Sequence, residues 1–157
     1  MAIIIVNSDI FSTGAKYIAH QCNGVSTEAK GFAKSIFDLH PYANSYFSRT
    51  PDSIPNMGTI EVFGNGLEQR YIINMIAQYY PGKSSIDFDT IKDRKEWFHN
   101  CLLEIAKIQN LHSIAFPFRI GCNLGGGDWD WYFNQLAKFE MNVKLKAEVL
   151  LYKNESD

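Results

Sequence analysis

The segment SIAFPFRIGCNLGGGDW, residues 113–129, restricts the possible folds more than any other part of the chain. It opens as an apolar run suited to a buried strand. It then passes through Gly121, Gly125, Gly126 and Gly127 into a run that places Trp129, Tyr132, Phe133 and Leu136 on a helix. A buried strand that turns through glycines into a helix is a building unit of α/β sheets. In such sheets ligands bind beyond the carboxyl ends of the strands.

The rest of the chain repeats the alternation. Ala2 to Val6 form a continuous aliphatic run, as expected of a strand covered on both faces. KYIAHQCN is a second strand ending at Asn23. EAKGFAKSIFDLH follows as a helix, with Phe32, Ile36 and Leu39 at helical spacing and Pro41 to stop it, and YANSYFSR suggests a further short helix. GTIEVFGNGLEQRYIINMIAQ reads as two strands around Gly64-Asn65-Gly66, the second of them, Tyr71 to Ala77, apolar enough to be central. After the loop YYPGKSSIDFD, Asp89 is placed to cap a long helix whose stripe is Trp97, Cys101, Leu102, Ile105 and Ile108, and KAEVLLYK supplies a last strand. The expectation is one domain, residues 1–157, with a mixed α/β sheet between layers of helices.

Composition narrows the function. A net charge of −2 gives no field for nucleic acid or anionic membrane, so any phosphate must be held by a local site. The opening MAIIIVNSD is too short for a secretory segment, and no apolar run approaches the ~20 residues that span a bilayer. Cys22, Cys101 and Cys122 make neither a paired motif nor a metal spacing with the four histidines, so no metal and no cofactor is expected. An odd cysteine count fits a reducing cytoplasm, or a host's cytoplasm if the chain is phage-encoded.

Glycines at the end of a strand permit positive φ and let backbone N–H groups approach an anion. IGCNLGGGDW has that make-up, although a tight structural turn explains it as well. HQCNGVSTEAKGFA is a second such loop, with Gly24 and Gly31, and two loops can grip two ends of one diphosphate.

Five segments, NSDIF, IAHQCNGVSTEAKGFAKSIF, INMIAQ, IAFPFRIGCNLGGGDW and VLLY, occur in an order and spacing that resemble the macro domain family. The resemblance is to the ADP-ribose-binding branch of ADP-ribose-1″-phosphate phosphatases and small ADP-ribosyl hydrolases. It implies a three-layer α/β/α fold with a mixed, mostly parallel central sheet of about six strands. By that resemblance Asp9 accepts from the adenine amino group, the Ile10 amide reads the ring, and Tyr152 stacks on it. Lys30, Gly31, Phe32 and Ala33 form the first phosphate loop, and Ile120, Gly121, Cys122, Asn123, Leu124 and Gly125 the second. Asn23 contacts the distal ribose, Gln78 borders it, and His20 is the first acid/base candidate; independently of the resemblance, Asp128 at the rim of the glycine loop is a carboxylate placed to orient the attacking water. Each residue also has a plainer reading: Asp9 and Asp128 as caps, Asn23 in a left-handed turn, Lys30 as a solvated charge, His20 and Cys122 as packing residues.

Two departures stand out. Asn123 replaces the usual glycine of the second loop. The lysine and aspartate used by one hydrolase branch correspond to Gln78 and Gly125, so that chemistry does not transfer. The implied function is hydrolysis of ADP-ribose 1″-phosphate by a monomer that binds ADP-ribose. The alternatives are removal of ADP-ribose from modified protein or nucleic acid, and a reader without turnover.

Overall fold

The computed structural model describes residues 2–154, so both ends of the expected domain, Met1 and residues 155–157, lie outside it. The elements are β1 (Ile4–Val6), β2 (Tyr17–Asn23), α1 (Gly31–Leu39), β3 (Ile60–Phe63), β4 (Tyr71–Gln78), α2 (Ile91–Ala106), β5 (His112–Pro117), α3 (Trp129–Val143) and β6 (Ala147–Tyr152). One six-stranded sheet has the order β1-β6-β5-β2-β4-β3. Every neighbouring pair is parallel except β3 with β4. Among the described residues no helix is long and apolar enough to cross a membrane.

Strand parity builds the two apolar layers. Successive side chains on a strand point to opposite faces. Ile18 and Cys22 on β2, and Ile72 and Ile76 on β4, pack with Ala33, Ile36 and Phe37 of α1. The intervening Tyr17, Ala19, Ile73, Met75 and Ala77 pack with Phe98, Leu102 and Ile105 of α2 and Tyr132, Leu136 and Phe139 of α3. At ~1.5–3 kcal/mol for a fully buried large apolar side chain, these two layers dominate the stabilisation of the fold.

The structure corrects four expectations. β1 is not covered on both faces. It lies at the sheet edge with Ile5 50% exposed, because β6 pairs on one side and, among the described residues, no strand pairs on the other. β4, by contrast, is interior as expected, buried and paired with β2 on one side and β3 on the other. Leu39 points to solvent, and Ala33, Ile36 and Phe37 make the buried face of α1. The cap of α2 is Thr90, not Asp89. Thr90 Oγ1 accepts from the Asp93 amide at 3.0 Å and Asp93 Oδ2 accepts from the Thr90 amide at 3.1 Å, a reciprocal box. With both roles filled, Asp89 turns inward to the Arg94 guanidinium, 2.6 Å away. Ile108 lies beyond the end of α2, and Arg94 and Phe98 occupy its buried stripe with Cys101, Leu102 and Ile105.

Candidate functional site

All the parallel strands end on one edge, and the loops that leave them enclose a cavity of about 570 Å³. From β1 to β4 the edge runs four strand spacings, roughly 19 Å at ~4.8 Å each. That span accommodates an extended dinucleotide-sized ligand.

At the β1 and β6 end stand Asp9, Ile10 and Tyr152. Asp9 caps a short 3₁₀ turn, Oδ1 accepting from the Phe11 amide at 3.0 Å, so the capping role is observed together with its place in the cavity wall. Phe11 stacks on Phe32 of α1 with centroids 5.6 Å apart, which joins this end to the first glycine loop.

In the middle, Gly31, Phe32 and Ala33 are the first residues of α1 and line the cavity. The first N–H groups of a helix have no intrahelical partner, and Lys30, exposed at the N-cap, supplies no side-chain acceptor. The start of α1 therefore offers free donors and a partial positive charge to the cavity. Gly31 has φ +60°, and a Cβ there would stand 2.7 Å from Leu124 Cδ1 of the second loop. The two loops meet above the same space. Gly121 has φ +79° and its missing Cβ leaves room for the Tyr132 ring, while a Cβ on Gly125 would lie 2.8 Å from the Gly121 carbonyl.

Asn123 lines the cavity without a left-handed backbone. Among the described residues the left-handed conformations in this loop belong to Arg119 (φ 62°), Gly121 (φ 79°) and Gly126 (φ 69°). The replacement of glycine at 123 thus imposes no φ strain.

At the β2 and β4 end are Gln21, Asn23 and Gln78. Asn23 is buried and not left-handed. Its Oδ1 accepts from the amides of Val25 (3.1 Å) and Ser26 (2.8 Å), its own amide donates to Tyr46 Oη at 2.8 Å, and its carbonyl accepts from Arg49 at 2.8 Å. Gln78 donates from Nε2 to the Tyr80 carbonyl at 2.9 Å and accepts from Gln21 Nε2 at 2.7 Å. That arrangement fixes both amides and leaves Gln21 Oε1 buried without a partner.

His20 shares parity with Ile18 and Cys22, so its ring turns toward α1, against Phe37 (5.4 Å) and Phe32 (6.1 Å). Across the register it meets Asn74, Nε2 lying 2.7 Å from Oδ1. Asn74 Nδ2 donates to the Ala43 carbonyl, so Oδ1 is the acceptor and His20 carries its proton on Nε2. The ring borders the cavity but is only 1% exposed, and burial pushes its pKa down to about 4. Burial therefore favours the neutral imidazole at pH 7.

Two expected residues lie outside the cavity wall. Asp128 caps α3, Oδ1 accepting from the Asp130 amide at 3.1 Å, and it is exposed and does not line the cavity. The Asp130 amide of α3 is therefore satisfied locally, and the helix whose residues line the cavity is α1. Cys122 is buried behind the second loop, donating to the Ile120 carbonyl. Burial pushes its thiol up to about 11. The remaining residues expected at the site, Asp9, Ile10, His20, Asn23, Lys30, Gly31, Phe32, Ala33, Gln78, Ile120, Gly121, Asn123, Leu124, Gly125 and Tyr152, border the one cavity. Among the described residues no cluster of histidine, cysteine or carboxylate groups could hold a metal ion.

Sequence reasoning missed Gln21, Arg119 and Arg94. Gln21 lies two residues before Asn23 on β2, and its proximity to the end of that strand was the signal that could have found it. Arg94 carried a signal too, an arginine four residues before Phe98 in an otherwise apolar stripe.

No family model and no curated protein matches the sequence. Solved structures do. The macrodomain of Mycobacterium tuberculosis DarG superposes with a TM-score of 0.77 over 96% of both chains at 18% identity. The macrodomain of Thermus aquaticus DarG gives 0.66 over 96% of this chain and 97% of its own, also at 18% identity. A Trypanosoma brucei macrodomain, solved in complex with ADP-ribose, gives 0.67 at 12% identity and covers 98% of this chain and 63% of its own. With these likenesses, the sheet order and the five motif segments in agreement, the chain has the macrodomain fold.

Proposed function

We propose that the chain binds ADP-ribose along the carboxyl edge of its sheet. The observation that carries the reading is the meeting of the two glycine loops, Gly31 under Leu124, over one cavity of about 570 Å³. The adenine lies at the Asp9, Ile10 and Tyr152 end. The diphosphate takes the free amides at the start of α1 and the Gly121–Gly125 turn, and the distal ribose lies against Asn23, Gln21 and Gln78. A chain of net charge −2 binds a dianion by such local donors and not by its overall field. Calorimetry with ADP-ribose tests it: one site per chain is expected, and no heat of binding removes the reading.

Hydrolysis of ADP-ribose 1″-phosphate is a second reading, favoured by the group of amide side chains at the distal end. Water would attack the terminal phosphorus, the bond from phosphorus to the ribose oxygen would break, and that oxygen would take a proton. The burial and low basicity of His20, and the place of Asp128 outside the cavity wall, leave this step without the general base first expected. We accordingly rank binding without turnover ahead of this hydrolysis. Release of inorganic phosphate from ADP-ribose 1″-phosphate above the uncatalysed rate, at stoichiometric enzyme, would reverse that order.

A further inference from the structure

Arg94 does not border the main cavity, yet it holds two of its walls. It is 3% exposed in the first turn of α2. Nη1 donates to the carbonyls of Gly82 (2.8 Å) and Gly125 (3.1 Å). Nη2 donates to the Tyr80 carbonyl at 3.2 Å and to Asp89 Oδ2 at 2.6 Å, and Nε donates to Asp89 Oδ1 at 2.7 Å. Asp89 is itself tied to the wall by the Tyr80 amide at 2.8 Å. Burial alone would raise the Asp89 carboxyl, but the guanidinium and the Tyr80 and Tyr79 amides outweigh it and hold the group below the usual range. The pair is therefore charged and internally neutralised.

Gly82 and Gly125 belong to different loops, and both line the main cavity. Their carbonyl oxygens bond to a group outside that cavity, so they are turned away from it. A carbonyl aimed inward would repel a phosphate oxygen, while one turned outward leaves the amide donors unopposed. Only a planar group with five donors can take carbonyls from two loops and a bidentate carboxylate at once; a lysine ammonium has neither the reach nor the geometry.

We propose that Arg94 is a positioning residue that couples the loop at residues 80–83 to the loop at residues 121–127 and makes the cavity selective for an anion by drawing the Gly82 and Gly125 carbonyls out of it. The anion-selectivity half of this proposal rests on the ADP-ribose reading, and the coupling half does not.

The test uses Arg94→Lys and, as a second variant that leaves the guanidinium in place, Asp89→Asn, which keeps the shape of the carboxylate. Titrations with ADP-ribose and with adenosine, which lacks the diphosphate, are compared with hydrogen exchange in the ligand-free protein. Arg94→Lys is expected to weaken ADP-ribose at least tenfold, to leave adenosine within twofold, and to speed exchange in both loops together while β2, β4 and β5 stay protected. Asp89→Asn is expected to change the same quantities in the same direction by less. A merely structural role would weaken both ligands alike, and that result overturns the selectivity claim, as does an unchanged ADP-ribose affinity. Unchanged exchange, or faster exchange in one loop alone, overturns the coupling. If the unaltered protein binds no ADP-ribose, the functional reading falls, and the exchange arm still decides the coupling.

Discussion

Gly125→Ala isolates the second loop's contribution to the cradle. Gly125 has an ordinary φ, so alanine adds no backbone strain there, only a methyl group. That methyl would lie 2.8 Å from the Gly121 carbonyl oxygen and 3.3 Å from Gln78 Oε1. Ordinary contact begins near 3.4 Å, so the loop must open by about 0.6 Å. The Gly121 oxygen cannot simply move, because it accepts from the Gly127 amide at 3.0 Å. Overpacking of this kind costs ~1–3 kcal/mol, and the cost falls on the segment that is to hold the diphosphate. At ~1.4 kcal/mol per tenfold change in Kd, and with that cost borne by the bound state, the variant should bind ADP-ribose about 5- to 140-fold more weakly. Gly14→Ala is the control: a Cβ there meets nothing within 4 Å, and its φ is ordinary. Calorimetry and thermal melting on both variants read the result. Affinity in Gly125→Ala equal to that of the unaltered protein would refute the placement of the diphosphate on this turn.

Three further outcomes follow from the buried polar groups. The His20 imidazole is held at about 4 by burial, below its usual 6.5, so the unfolded chain binds a proton that the folded one refuses. Its contribution is present above pH 6.5 and is lost as pH falls toward 4, ~3 kcal/mol in all. Denaturant unfolding at pH 7.5 and 4.5 should show that loss, and His20→Gln should remove most of it, leaving the smaller part due to His40, whose pKa is lowered by burial and then by Arg70. Tyr46→Phe takes away the acceptor of the buried Asn23 amide and should cost ~1–3 kcal/mol in the same assay; a change below ~0.5 kcal/mol would mean that this amide finds another partner. Burial raises the thiols of Cys22, Cys101 and Cys122, to about 12 for Cys101 and about 11 for Cys122, so iodoacetamide at pH 8 should leave the folded protein unlabelled and modify all three cysteines after unfolding.

The sequence made the alternation of strands and helices legible because each element carries its own periodicity, and it located both glycine loops because glycine after a buried strand is a local signal. What it left open depends on neighbours. The aliphatic run at Ala2 to Val6 looks the same whether it is flanked on one side or two, so its edge position could not be read. The choice between Asp89 and Thr90 as the cap of α2 turned on Arg94, which draws Asp89 into a buried pair and leaves the helix end to the adjacent threonine. His20 was ambiguous for a similar reason. Parity allows either face, and only the opposing Asn74 on β4 and the Phe32 and Phe37 rings of α1 decide which. Asp128 illustrates a competition between roles. A carboxylate at a helix start is in reach of the free amides there, and in this chain the cap prevails over the cavity.

The claim on which the account depends is that the amides at the start of α1 and those of the Gly121–Gly125 turn engage one diphosphate together. Backbone amide shifts during an ADP-ribose titration test it directly. The expected result is that Gly31, Phe32 and Ala33 move with Gly121, Asn123, Leu124 and Gly125 along a single binding curve, and that residues at the opposite ends of the strands, such as Tyr17 and Tyr71, stay in place. Shifts confined to one loop, or two curves with different midpoints, would contradict it.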